Sequence, residues 1–313
     1  HAGRWMMTTR THTFSIVARD PATGEMGVAV QSHWFGVGRL VAWARAGVGA
    51  VATQALVEVA YGPRGLDLMA QGKSAPEALA ALLTEDEGRE LRQVAMVDAQ
   101  GRVAAHTGAR CIAEAGHLTG DGFSVQANMM LNDRVWPAMY EAYRAATGDL
   151  AERLVRTLEA AQEAGGDVRG QQSAAMLIVP AQASARPWDD VVVELRVEDH
   201  PTPIAELRRL LTVHRAYRRM NLGDELLGKG QVEAALSEYR AAAEMVPDIA
   251  ELPFWHAVTL ADMGRVDEAL PIFRDVFARD PNLALLVQRL PASGLLRDDP
   301  QMMARILGVG PGA

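Results

Sequence analysis

Apolar and polar positions alternate over 13–17, Asp20-Pro21-Ala22-Thr23-Gly24 supplies turn chemistry, and Met26, Val28 and Val30 alternate again with smaller partners. This pattern predicts a β-hairpin. An apolar run at 48–54 follows a Gly-rich stretch around Gly36, Gly38 and Gly47 and predicts a buried strand. The period then lengthens. One helix is expected near 64–70. A second opens at Ser74, where Ser74 and Glu77 have capping-box spacing and Leu79, Leu82 and Leu83 form the apolar stripe. The segments 94–98 and 102–107 flank Ala99-Gln100-Gly101 as a second hairpin. In the strand at 123–128, Phe123, Val125 and Ala127 share one face, while Ser124, Gln126 and Asn128 line the other. Helices are predicted at 132–146 and after Asp149, the latter with Leu150, Leu154, Leu158 and Ala161 on one face and Gly165-Gly166 as its stop. Strands return at 174–179 and 191–197. Hairpin connections without strand-helix-strand alternation favour antiparallel sheets layered between helix pairs over a parallel sheet.

Beyond 211 the pattern repeats. A shift of 34 matches Gly230 with Gly264, Val232 with Val266, Ala235 with Ala269, Leu236 with Leu270, Tyr239 with Phe273 and Pro247 with Pro281. This segment resembles the tetratricopeptide repeat, whose small residues let paired helices approach closely. Two repeats do not bury a solenoid core alone. They are expected to pack on the first domain, on a helix at 204–220 or on another subunit, either as a cap or dimerisation element or as a groove for a protein partner. The division expected is an extension at 1–12, a first domain at 13–211, helical repeats at 212–290 and an irregular end at 291–313. Residues 1–5, ahead of Met6-Met7, read as a non-native start and are set aside.

Composition narrows the partners. A chain of 313 residues exceeds what one core usually serves, and 49% apolar with 22% charged residues describes a folded protein. Lys and Arg number 31 against 39 Asp and Glu, a net charge of −8 with no like-charge block, so neither nucleic acid nor an anionic membrane is expected as a partner. Cys111 is the single cysteine, expected to be a buried inert thiol. No run approaches the roughly 18 apolar residues of a membrane span and no signal-peptide core is present, so a cytoplasmic location is expected. A P-loop, a dinucleotide glycine fingerprint, a nucleophile elbow and a His-Glu-x-x-His motif are all absent. His106, Cys111 and His117 fit no zinc spacing; no metal and no cofactor are expected.

Several segments together carry a family likeness. They are Thr13-Phe14-Ser15-Ile16-Val17-Ala18-Arg19-Asp20, Gly27-Val28-Ala29-Val30, Ala46-Gly47-Val48-Gly49, Tyr61-Gly62-Pro63-Arg64-Gly65-Leu66, His106-Thr107-Gly108, Phe123-Ser124-Val125-Gln126-Ala127-Asn128-Met129 and Gly170-Gln171-Gln172-Ser173. Over about 13–211 the chain resembles the domain of unknown function 1028 family. The resemblance implies a fold similar to the N-terminal-nucleophile (Ntn) hydrolases, an α+β four-layer αββα sandwich.

That fold implies a chemistry. An Ntn hydrolase attacks an amide with the side chain of its first residue and uses the freed α-amine of that residue as base, because the amine titrates near neutrality. Thr13 stands where such a nucleophile would be, with twelve residues ahead of it; its plainer reading is a β-branched strand residue. Asn128, at a strand end, is the expected oxyanion donor or else a turn residue. Ser32 and His33 are expected to meet Thr13 across the hairpin as further catalytic groups. Thr53, Gln54 and Glu58 are expected to line the same cleft, Arg64 to clamp a substrate carboxylate and Ser173 to assist by hydrogen bonding; each has a structural alternative. Two functions stay open. One is an amide hydrolase acting on a small or peptide-like substrate, and the other is a non-catalytic ligand-binding or scaffold protein with repeats that recruit a partner. Exposed surfaces on both modules suggest a homodimer.

Overall fold

The computed structural model describes residues 10–312. Residues 1–5 and most of the 1–12 extension lie outside that range. The chain divides into two compact units at Leu211 and Thr212.

In the first unit all strand pairs are antiparallel. One sheet holds β2 (Thr13–Arg19), β3 (Met26–Ser32), β8 (Gly116–Gly120), β9 (Phe123–Ala127), β10 (Ser173–Val179) and β11 (Val193–Val197), in the order β11-β10-β3-β2-β9-β8. The other holds β1 (Arg10–Thr11), β4 (Ala42–Arg45), β5 (Gly49–Leu56), β6 (Arg92–Asp98) and β7 (Val103–Thr107), in the order β1-β5-β6-β7 with β4 also on β5. The β2–β3 turn follows from its residues. Asp20 Oδ1 accepts from the Ala22 N–H at 2.9 Å, and Gly24 takes the φ of 74° that reverses the chain. The short strands β1, β4 and β8 show no clear alternation and exist by pairing with longer neighbours, so the sequence pattern does not announce them.

Strand periodicity then sorts the cores. Phe14, Ile16 and Val125 face α4 (Val135–Ala145) and α5 (Leu150–Glu163). On the second sheet, Val51, Val94 and Met96 face α2 (Tyr61–Ala70) and α3 (Ala75–Glu85); a one-turn α1 (Gly38–Val41) precedes them. Between the sheets lie Val17, Val28 and Val30 with Ala50, Ala52, Ala95 and Val97. Helix starts follow the expected caps. Ser74 Oγ accepts from the Glu77 N–H while Glu77 accepts from the Ser74 N–H, and Asp149 accepts from the Glu152 N–H at 2.9 Å. Helix α2 begins three residues earlier than its apolar pattern suggests. A Cβ on Gly62 would lie 2.4 Å from the Trp43 ring, so glycine lets this first turn press against β4.

The second unit is helical. Helix α6 (Pro203–Gly228) is one 26-residue element that buries Ile204, Leu207 and Leu211 in the first unit and Ala216 in the second, where the sequence suggested a helix ending near 220. After it come α7 (Val232–Met245), α8 (Glu251–Asp262), α9 (Val266–Arg279) and α10 (Asn282–Arg289). The same turn is built twice, 34 residues apart. Gly230 and Gly264 take φ of 73° and 85°, and the following N–H groups, of Gln231 and Arg265, reach back to Leu226 and Leu260 carbonyls at 2.9 Å. Ala235 and Ala269 are fully buried. The end at 291–313 is not irregular throughout. Asp299 caps α11 (Pro300–Leu307), which buries Met302 and Ile306 one turn apart; the helix is too short for its period to stand out among neighbouring Gly and Pro. Among the described residues no helix is long and apolar enough to cross a membrane.

Two outcomes test this unit. Ala269→Leu should overpack a filled position and lower the unfolding free energy by roughly 1–3 kcal/mol in urea titrations. Burial, followed by the charges of Arg240 and Arg265, lowers the His256 pKa from 6.5 to about 4. Between those values the unfolded chain binds a proton that the folded chain refuses. The His256 contribution to stability is therefore full above pH 6.5 and lost as pH falls toward about 4, and His256→Phe should flatten that part of the pH–stability curve.

Candidate active site

Toward one end of the space between the sheets the apolar layer gives way to amides and hydroxyls. Ser15, Gln54, Gln93, Gln126 and Asn128 are all fully buried. Gln93 orders them. Its Nε2 donates toward the Ala127 carbonyl and Thr107 Oγ1 at 2.9 Å and the Gly116 carbonyl at 3.2 Å. Because carbonyl oxygens only accept, the amide orientation is set, and Gln93 Oε1 must accept. It does so from Gln54 Nε2 at 2.7 Å and Asn128 Nδ2 at 2.9 Å. Gln54 Oε1 then accepts from Ser15 Oγ at 2.6 Å, Ser15 Oγ from Gln126 Nε2 at 2.7 Å, and Gln126 Oε1 from Ser124 Oγ at 2.9 Å. At the other end Asn128 Oδ1 accepts from His12 Nδ1 at 2.8 Å. That bond selects the Nδ1–H tautomer, and burial holds the His12 pKa below 6.5, so the ring is neutral.

The carbonyl of His12, in the peptide bond to Thr13, accepts from two side chains, Ser32 Oγ at 2.5 Å and Arg169 Nη2 at 2.9 Å. Arg169 is oriented by the carboxylate of Asp167, 2.7 Å away and itself buried. Ser32 is the cross-strand partner of Thr13 in the β2–β3 register. Thr13 Oγ1 is buried and donates to the Thr11 carbonyl at 2.8 Å, and the Asn128 N–H holds the Thr13 carbonyl at 3.0 Å.

A pocket of about 350 Å³ opens here. Its walls include His12, Arg10, Arg110 and Arg169 together with Trp34, Leu56, Leu91, Ile112 and Met129. Ala55 and Met129, the two non-glycine residues with positive φ among those described (73° and 58°), both line it. Backbone held in this region is costly and collects at functional sites. Cys111 also lines the pocket. Burial pushes its thiol up to about 11, leaving it protonated and inert at neutral pH.

The residues singled out in the sequence distribute unevenly. Thr13, Ser32, Asn128 and Gln54 gather at this end. Asn128 is fully buried, with Nδ2 donating to Gln93 Oε1 and Oδ1 accepting from His12, so of its side-chain amide only the second N–H would be left for an oxyanion. His33 does not line the pocket; its backbone N–H donates to Asp167 Oδ2 at 3.4 Å. Thr53 points to the opposite face of β5 from Gln54 and donates to the Glu58 carbonyl at 2.9 Å. Glu58 and Arg64 line a separate cavity of about 260 Å³, where Arg64 pairs with Glu85 at 2.6 Å. Ser173 holds the 34–37 turn, donating to the Trp34 carbonyl and accepting from the Val37 N–H. His106, Cys111 and His117 are taken up separately by the Arg89 carbonyl, the Arg92 carbonyl and Thr107 Oγ1. Among the described residues no group of three His, Cys, Asp or Glu is placed to hold a metal. His12, Arg169 and Gln93 stand at this end of the unit and were not among the residues singled out as site candidates. For Gln93 a signal existed, a polar residue on the inward face of an otherwise apolar strand.

The family described as a family of unknown function (DUF1028) matches residues 13–207, beginning at Thr13. The chain belongs to this family. The crystal structure of protein SPO2555 from Silicibacter pomeroyi, a DUF1028 protein, is similar at 32% identity and a TM-score of 0.58, over 64% of this chain and 88% of that one. No curated protein matches the chain. For this DUF1028 chain the network gives a sharp expectation. Gln93→Leu strands the Asn128 Nδ2 donor and leaves Gln54 Nε2 with only long contacts to the Thr13 and Gln126 carbonyls at 3.4 Å, two losses of up to about 1–3 kcal/mol each, whereas Ser124→Ala strands one acceptor, Gln126 Oε1, and should incur such a loss once. Equal losses for the two variants in urea unfolding would contradict this order.

Proposed function

We propose that this protein is an amide hydrolase of the Ntn type, with Thr13 as nucleophile once the His12–Thr13 bond is opened. The observation that carries the reading is the His12 carbonyl. It lies in the bond directly ahead of the residue where the family match begins, and it receives the Ser32 hydroxyl and the Arg169 guanidinium together. A substrate carbonyl in the same position would meet the same two donors as negative charge develops on its oxygen. Thr13 Oγ1 would attack the acyl carbon, its proton passing to the freed α-amine and on to the leaving amine; water would then release the acyl group from the ester. While the His12–Thr13 bond is intact, the nitrogen of Thr13 is an amide and accepts no proton.

The substrate reading follows from what fills the site. Arg10 and Thr11 pair antiparallel with Leu56 and Ala55, continuing along the edge of β5 where β4 stops. They occupy the place of an extended acyl-side strand, which favours peptide-like amides recognised through main-chain hydrogen bonds. Helix pairs outside two facing sheets agree with an Ntn-like sandwich, and the repeated turn at Gly230 and Gly264 with a tetratricopeptide-like helical unit.

A chain released by a specific protease cut so that it begins at Thr13 should hydrolyse chromogenic amides that the full-length chain leaves intact. Thr13→Ala in that trimmed chain should lose several orders of magnitude in kcat, and Ser32→Ala roughly 10²–10³ with KM little changed. If the trimmed chain binds amides yet behaves as Thr13→Ala does, the ligand-binding alternative replaces the hydrolase.

A further inference from the structure

The wall of the pocket beside Thr13 has a composition at odds with the rest of the chain. The protein carries an excess of acids, 39 against 31 bases, yet three arginines and no Asp or Glu line this pocket. The three guanidinium groups are not equivalent. Arg169 is committed to Asp167 and to the His12 carbonyl. Arg10 lies ahead of Thr13 and departs with the extension if the His12–Thr13 bond is opened. Arg110 remains. It is exposed, and among the described residues no carboxylate pairs with it; the nearby Glu90 carboxylate accepts from the Ala109 N–H at 2.9 Å instead. Around it the lining is apolar, with Leu56, Leu91, Ile112 and Met129. A planar guanidinium with no carboxylate partner among the described residues, in a pocket otherwise lined in large part by apolar side chains, suits a carboxylate on a hydrocarbon stem.

We propose, resting on the reading of Thr13 as the nucleophile, that the pocket selects amides whose acyl side ends in a carboxylate on a short apolar stem, and that Arg110 is the residue that recognises the carboxylate. Neutral acyl groups of the same length bury the same stem and lack the ion pair.

Two probes separate these cases, glutaryl-p-nitroanilide and pentanoyl-p-nitroanilide, matched in chain length and different in charge. Titration calorimetry on the chain beginning at Thr13, carrying Thr13→Ala so that neither probe is turned over, should show the glutaryl probe binding about two- to fivefold tighter, the ratio expected of one exposed ion pair. Arg110→Gln should remove most of that preference, Arg110→Lys should keep part of it, and added salt should weaken the glutaryl probe alone. Equal affinities, a preference unchanged in Arg110→Gln, or no binding of either probe would overturn the proposal. The two readings fail separately. If the chain beginning at Thr13 prefers the glutaryl probe but releases no p-nitroaniline, the hydrolase is wrong and the selectivity stands; release from both probes at one rate leaves the hydrolase and removes the selectivity.

Discussion

Gln93 sits where two sheets meet and water is excluded, so every polar atom it brings must be satisfied by the protein. Its amide joins strands of both sheets, through Ala127 and Asn128 on one side and Gln54 and Thr107 on the other. A one-residue slip of β6 would turn Gln93 toward the helices and strand these partners, so the network fixes strand register more sharply than the alanines and valines farther along the same layer. Those residues pack by volume alone. The amides carry direction as well, and the direction propagates to the imidazole of His12 at the pocket wall.

The site is built where regular pairing gives out. Strand β4 leaves the edge of β5 at Ala52, and β1 takes it up at Ala55, a residue with φ of 73°. Met129, with φ of 58°, follows Asn128 just past the end of β9. Its N–H and C=O are taken by the Ile112 carbonyl and the Val168 N–H, from two different loops. The backbone bends there because hydrogen bonds from several segments over-determine it. The result is a main-chain carbonyl, that of His12, held by two side-chain donors, Ser32 and Arg169.

The sequence by itself determined the longer elements of the first unit and the repeat of the second, and the faces of the strands that alternate. Alternation marked β2, β3 and β9, turn residues marked the β6–β7 hairpin, and caps at Ser74 and Asp149 marked two helices, because these signals depend on neighbours a few residues apart; a shift of 34 residues marked the helical unit. The inward polar face of β9 was visible as Ser124, Gln126 and Asn128, and Thr13 was visible as the head of a strand. What each polar group does was decided by tertiary structure. Asn128 links Gln93 and His12, partners 35 positions and 116 positions away in the chain. Thr53 and Gln54, adjacent in the chain, serve opposite faces of one sheet, and Arg64 belongs to another cavity. Arg169, in a loop with no periodicity, acquires its place only when β2, β3 and the 167–170 turn come together around the His12 carbonyl. Local patterns select which face a residue occupies; hydrogen-bond partners across sheets and loops select its chemistry, and those distances exist only in the folded chain.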